Sequence, residues 1–200
     1  MKIGVLLFNQ FELLDVFGPL EMLGHVEDIS IELVAQEIGP IKSAQGPCAY
    51  AQTNLDSASQ YDVLLVPGGI GTREMVNDQP TLDWIAKQAE KARYITSVCT
   101  GSALLAKSGV LANKQATTNK MAFHWVVSQG PNTNWITKAR WVKDGNIYTS
   151  SGVSAGTDMA LAFIADIWGE SKAREIANLA EYEWNDDSTH DCFAQKYGLE

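Results

Sequence analysis

Cysteine, histidine and basic residues are all scarce in this chain of 200 residues, and each scarcity removes a class of function. The three cysteines, Cys48, Cys99 and Cys192, stand far apart, form no C-x-x-C pair and leave one over in any disulfide scheme. A disulfide scaffold does not fit, and a reducing compartment is the simpler reading. The three histidines, His25, His124 and His190, lack metal-ligand spacing, so no metal is expected, and no sequence feature calls for another cofactor. With 15 basic against 24 acidic residues the net charge is −9. That balance argues against nucleic acid as a partner, because phosphate contacts need clustered Lys and Arg. No apolar run approaches the roughly 18 residues of a membrane span. The first one, Ile3 to Phe8, also lacks a small-residue cleavage site. A cytoplasmic protein with no membrane contact is expected.

What remains is the composition of an ordinary globular chain, 46% hydrophobic and 20% charged, which at this length supports one sizeable core. There is no internal repeat, low-complexity stretch or interdomain linker, so residues 1–200 are expected to form a single domain. Ile3 to Phe8 and Tyr61 to Val66 are continuous apolar runs, as expected of strands covered on both faces in a parallel sheet. Ile29 to Ala35 alternates as a further strand, and a short strand is expected around Cys48 to Ala51. Val16, Leu20 and Leu23 mark one side of a helix after the first strand. Leu82, Ile85, Ala86 and Ala89 mark one face of a helix over Pro80 to Lys91. Downstream, Gln115 to Thr118 reads as a short strand and Met121 to Val127 as a short helix. Lys138 to Lys143, the Asp144-Gly145 pair and Asn146 to Thr149 read as a hairpin. The stretch from Ser154 to Trp168 is apolar nearly all round and belongs in the core or an interface. Glu170 to Tyr182 is expected to be the final helix, followed by a polar, acidic, aperiodic tail. Alternating strands and helices predict an α/β fold layered about a mostly parallel sheet.

Ligands bind such sheets outside the carboxyl ends of the strands, and three candidates follow such ends. Ile95 and Val98 suit a buried strand while Ser102 to Lys107 suits a helix, so Cys99 falls at a sharp strand-to-helix corner, the geometry of a nucleophile elbow. Asp15 lies near the start of the first helix, where a carboxylate either caps free N–H groups or serves a site. Pro67-Gly68-Gly69-Ile70-Gly71 ends another strand with glycines that permit positive φ or close approach of the main chain to a ligand. Cysteine at a corner also packs well as a small buried hydrophobe. The convergence of three candidates on one sheet edge is what favours a nucleophile.

The motifs Leu14-Asp15-Val16-Phe17-Gly18-Pro19, Asp62 to Gly69, Ser97-Val98-Cys99-Thr100-Gly101, Ala116-Thr117-Thr118 and Ser151 to Asp158 together resemble the DJ-1/PfpI superfamily. The resemblance covers nearly the whole chain and points to the isonitrile hydratase-like branch. It implies a flavodoxin-like three-layer sandwich, a homodimer, and a cysteine on the elbow beside an acid from the first strand-to-helix connection. In the isonitrile hydratases the acid is aspartate and threonine follows the cysteine, a set matched by Asp15, Cys99 and Thr100. Proteases and DJ-1-like members carry glutamate instead, which weakens a peptidase reading. The implied reaction is hydration of a small-molecule isonitrile to an N-substituted formamide. Cys99 would be the nucleophile, Asp15 the proton donor and Thr100 an orienting group, with Gly68 and Gly69 supplying the substrate or oxyanion cradle. Two departures stand out. Many relatives continue Ala-Thr-Thr with His-Trp, where this chain has Asn119-Lys120 and places His124-Trp125 later; and the tail Glu181 to Asp187 lacks the proline-rich continuation common in the branch.

Electrostatics constrains the pair. An ionised Asp15 about 4 Å from a thiolate would oppose it by roughly 4 kcal/mol at an effective dielectric of about 20. A helix N-terminus returns only about 0.3–1 kcal/mol. A close pair is therefore expected to share a proton, most simply with Asp15 protonated. Glyoxalase-like conversion of reactive aldehydes would use the same two groups. A non-enzymatic redox sensor would instead need an exposed, low-pKa Cys99, and a ligand-binding regulatory domain would need no nucleophile. Cys48 and Cys192 carry no activating feature.

Overall fold

Lys2–Leu6 (β1) and Val63–Val66 (β6) are buried almost throughout rather than alternately, because helices cover both faces of the sheet they centre. The structure, a computed structural model, describes residues 1–199. Its first half runs β1, α1 (Leu13–Leu23), β2 (Ser30–Ala35), β3 (Gly39–Lys42), β4 (Cys48–Ala51), β5 (Thr53–Asn54), β6, α2 (Thr72–Met75) and α3 (Gln79–Ala89). The second half runs β7 (Tyr94–Ser97), α4 (Gly101–Lys107), β8 (Gln115–Ala116), α5 (Phe123–Gln129), β9 (Asn134–Trp135), β10 (Trp141–Asp144), β11 (Ile147–Ser150), α6 (Ala155–Trp168), α7 (Glu170–Leu179) and α8 (Phe193–Lys196).

Seven strands form the central sheet in the order β10-β11-β7-β6-β1-β2-β5. All neighbours are parallel except β10 against β11. Helices α1, α6 and α7 pack together as one layer, and α3, α4 and α5 as the other. This is the α/β flavodoxin-like sandwich expected. After β1 the chain lays β2 on one side, then crosses back to place β6 on the other. The switch point, where ligands enter such sheets, lies between β1 and β6. Among the described residues no helix is long and apolar enough to cross a membrane.

Three expectations change. The hairpin is real, but its turn is Gly145-Asn146: Asp144 pairs with Ile147 inside the ladder, and Gly145 takes the positive φ of 63°. The first strand starts at Trp141 rather than Lys138 because the preceding backbone pairs with the chain's end, through Arg140 N–H to Ser188 O at 2.8 Å and Asp191 N–H to Lys138 O at 2.7 Å. The helix expected over Glu170 to Tyr182 is not the final one, since α8 follows, and it ends at Leu179. Glu181, at φ 49°, closes it with a Schellman pair, Glu181 N–H to Asn178 O and Tyr182 N–H to Ala177 O. The tail beyond is no loose appendage: it carries α8, buries Asp191 and Ala194, and donates Trp184 Nε1 to Asp158 O at 3.1 Å.

Candidate active site

The sheet order builds the site. The four adjacent strands β11, β7, β6 and β1 end, in that sequence, at Ser151 to Val153, at Cys99, at Gly68-Gly69 and at the loop leading to Asp15. Residues separated by more than a hundred positions meet because their strands are neighbours.

Cys99 turns the chain from β7 into α4 at φ 56°, a left-handed conformation that costs a non-glycine residue about 1–3 kcal/mol. Three hydrogen bonds hold it there. Its N–H donates to Ser151 O at 3.0 Å, and its carbonyl accepts from Thr118 Oγ1 at 2.9 Å and Ser102 Oγ at 3.2 Å. The residue is only 6% exposed.

Asp15 is fully buried in the first turn of α1, a helix with no side-chain N-cap bond. The capping role left open by the sequence is therefore not the one it plays. Its Oδ2 accepts from Gly68 N–H at 2.8 Å, while Oδ1 is buried without a partner of ordinary hydrogen-bond geometry. The Cys99 thiol is near enough to interact with this carboxyl. Burial is the largest influence on Asp15 and raises its pKa to about 8, against the Gly68 N–H that lowers it; the negative Glu12 adds to the rise. Asp15 therefore carries a proton at neutral pH. The Cys99 thiol is also pushed well up, first by burial and then by the Asp15 charge. Working the other way are the N–H groups of Thr100 and Val153 and the side-chain amide of Asn119, all directed at the sulfur. At rest the pair is neutral, a carboxylic acid beside a thiol.

The glycines serve this pair indirectly. Gly68 spends its N–H on Asp15, and Gly69 donates its own to Thr100 Oγ1 at 3.1 Å. Neither N–H is left for a ligand. Thr100 is further tied to Thr72, whose Oγ1 lies 3.1 Å from its own and donates to Gly69 O at 2.7 Å. The donors around the sulfur are instead Thr100 N–H, Val153 N–H and Asn119, and the last two escaped the sequence reading.

Val153 sits at φ 37°, an outlier for a β-branched residue. Asn119 occupies the place where the resemblance expects histidine. Its Oδ1 accepts Ala122 N–H at 2.9 Å, which leaves its amide nitrogen to face the sulfur. His124 is exposed and packs its ring near Phe123. Cys48 and Cys192 are free and exposed. Among the described residues no group of three or more His, Cys, Asp or Glu is arranged to hold a metal.

Beside Asn119 and Val153 opens a cavity of about 190 Å³, walled also by Met121, Ser151, Asp191 and Tyr197. Lys120 lines it from a buried position, with Nζ donating to Thr117 Oγ1 at 2.7 Å and Ala139 O at 2.6 Å. Burial lowers the Lys120 pKa to about 8 despite the opposing Asp191 carboxylate.

The DJ-1/PfpI family model matches residues 1–166. An isonitrile hydratase from Pseudomonas putida is 38% identical over 183 residues, covering 91% of this chain and 78% of that protein. An HTH-type transcriptional regulator from Pseudomonas aeruginosa is 25% identical over 188 residues, covering 91% of this chain and 51% of the regulator. Among solved structures, a ThiJ/PfpI family protein from Pseudomonas syringae superposes with a TM-score of 0.86 at 30% identity, over 92% of this chain and 76% of that one. The chain belongs to the DJ-1/PfpI family.

Proposed function

We propose that this protein is a cysteine-dependent hydratase that converts a small isonitrile to an N-substituted formamide. The observation that carries the reading is the buried Asp15–Cys99 pair, in which burial raises the carboxyl's pKa to about 8. The 38% identity to an isonitrile hydratase supports it. An isonitrile carbon must gain both a nucleophile and a proton, and this pair holds one of each.

In the proposed cycle the Cys99 sulfur attacks the terminal carbon as Asp15 gives that carbon its proton. The thiol proton passes to Asp15, and the product is a thioimidate, R–N=CH–S–Cys99. Water then adds to the C=N carbon, delivering one proton to nitrogen with Asp15 as base and acid. Collapse expels the sulfur, which regains its proton, and R–NH–CHO leaves. The sum is one isonitrile plus one water. Thr100 N–H, Val153 N–H and the Asn119 amide stabilise the sulfur while it carries negative charge. Thr100 Oγ1, held by Gly69 and Thr72, shapes the wall, and the adjacent cavity gives a small substrate its way in.

A buried thiol with a raised pKa fits poorly with redox sensing, which relies on an exposed thiolate. Glyoxalase-like turnover uses the same pair and belongs in the same assay. Incubation with several small isonitriles and with methylglyoxal, followed by proton NMR, is expected to yield formamide from wild type and none from Cys99→Ala. Absence of formamide from every isonitrile removes the hydratase assignment; lactate in its place installs the glyoxalase. We also propose a homodimer in the cytoplasm, as the family resemblance implies. Leu14 and Phe17, both exposed on α1, offer it an apolar surface, and sedimentation of a Phe17→Glu variant tests that contact.

A further inference from the structure

Arg73, on α2 just beyond Gly69, is a half-buried cation with no anion paired to it among the described residues. Its guanidinium carbon lies 3.5 Å from the centroid of the Trp125 ring, close enough to α5 to be braced there. Among the described residues one N–H is engaged, Nη1 to Thr72 Oγ1 at 3.1 Å, and no carboxylate forms an ion pair with it. Thr72 is the residue that holds Thr100, so the guanidinium is one hydroxyl removed from the wall of the nucleophile's pocket. The charge of Cys99 reaches it: a thiolate there favours the guanidinium, and no acidic side chain exerts a comparable pull. In a chain of net charge −9, acids to neutralise Arg73 are plentiful, yet among the described residues none is ion-paired with it.

Partial burial of an unpaired charge is unfavourable, and stacking on an aromatic ring offsets it by only about 0.5–2 kcal/mol. The stack occupies the face of the guanidinium and leaves its edge, whose planar fork of N–H groups matches a carboxylate in bidentate fashion. We propose that Arg73, braced by Trp125, is a specificity-determining residue that binds a carboxylate on the substrate, so that the site selects small electrophiles with an anionic substituent over their neutral analogues. On the proposed activity, which this inference takes as its basis, the preferred substrate is an isonitrile whose nitrogen bears a short carboxylate-ended chain. The carboxylate completes the ion pair that the fold leaves open, and its attachment point sets the isonitrile carbon over Cys99.

Alkylation of Cys99 tests this without requiring turnover. Iodoacetate and iodoacetamide are near-isosteric, and with either one the sulfur displaces iodide while the thiol proton leaves to solvent. The rate at Cys99 is followed by mass spectrometry of its peptide, with exposed Cys48 of the same molecules as internal standard. The ratio of iodoacetate to iodoacetamide rates is expected to be about tenfold or more higher at Cys99 than at Cys48, the effect of one hydrogen-bonded charge pair. Arg73→Gln is expected to bring it to the Cys48 level, and Arg73→Lys to an intermediate value. If Arg73 served only to ionise the thiol, both reagents would slow together in Arg73→Gln and the ratio would stay; that result overturns the proposal. Where a variant does not fold, wild type decides: propanoate is expected to protect Cys99 from iodoacetamide and propanamide is not. Equal ratios at Cys99 and Cys48, equal protection by the two additives, or failure of both reagents to enter overturns it as well. A high ratio without formamide production sinks the hydratase reading and leaves Arg73 standing, whereas formamide from neutral isonitriles with an unexceptional ratio does the reverse.

Discussion

The main chain at Gly68 meets the carboxyl of Asp15 so closely that its N–H donates to Oδ2 at 2.8 Å, and a Cβ built on Gly68 would stand 2.8 Å from that same oxygen. It would also stand 2.5 Å from Thr100 N. Glycine is required here for space rather than for φ, since both neighbours belong to the site. Gly68→Ala is expected to lower stability by about 1–3 kcal/mol, the usual effect of overpacking. The same displacement of Asp15 and Thr100 is expected to reduce kcat/KM by roughly 100-fold. Urea denaturation and formamide assays on one preparation check both; a variant that loses stability but keeps full activity removes Gly68 from the positioning of Asp15.

The raised pKa of Asp15 makes a prediction about stability against pH. In the unfolded chain this carboxyl titrates near its ordinary value of 3.8, and in the folded protein near 8. Between those values the folded state holds a proton that the unfolded state has lost. The contribution of Asp15 is therefore complete below about pH 4 and falls as pH rises toward 8, with a slope approaching about 1.4 kcal/mol per pH unit. Asp15→Asn has no such proton. The difference in unfolding free energy, wild type minus variant, is expected to fall steadily from pH 4 to 8 and flatten above. Parallel curves for the two proteins would mean that Asp15 is ionised in the native state, and the proton-donor role would go with it.

What the sequence could and could not reveal divides along local and non-local lines. Cys99 and Asp15 were legible because each follows an apolar strand and begins a helix, signals carried within about ten residues, and because one rule about parallel sheets joins them. Gly68 and Gly69 were legible as a constrained loop, but the destination of their N–H groups was not. Those bonds end on Asp15 and Thr100, side chains whose approach depends on β1, β6 and β7 lying side by side. Val153 reaches the sulfur only because β11 lies next to β7, a pairing no local pattern specifies. Asn119 left one trace, a polar residue where the resemblance expected histidine, and its amide faces the Cys99 thiol.

Asn119 is expected to matter for rate more than for fold. Its amide nitrogen stands 2.7 Å from the position of a Cβ on Gly152, so the side chain is confined between that glycine and the sulfur. Asn119→Ala removes one hydrogen bond to a sulfur that is charged during the reaction, worth about 1.5–3 kcal/mol, or roughly 10- to 150-fold in kcat/KM. Gly152→Ala, which crowds the amide without deleting it, is expected to lower the rate in the same direction. Unchanged kinetics in both variants would leave Thr100 and Val153 as the sulfur's only donors.

The C-terminal tail is expected to be part of the folded unit, and Asp158 is the residue on which it turns. This carboxylate, fully buried on α6, accepts Nε and Nη2 of Arg140 on Oδ2, and Tyr182 Oη and Asn185 N–H on Oδ1, each of the latter at 3.0 Å. One group thus joins the edge of the sheet, the core helix and the start of the tail. Breaking a buried pair from one side leaves the other charge unpaired, which typically lowers stability by about 3–5 kcal/mol. Arg140→Ala strands the Asp158 carboxylate and is expected to show that loss in urea. Asp158→Asn strands the guanidinium and is expected to do the same, while also freeing residues 183–199 for proteolysis. The tail supplies Asp191 and Tyr197 to the cavity beside Asn119, so its release is expected to raise KM before it affects kcat. Limited digestion of Asp158→Asn that spares the tail, or a full-strength KM after its removal, would confine Asp158 to holding α6 against the sheet.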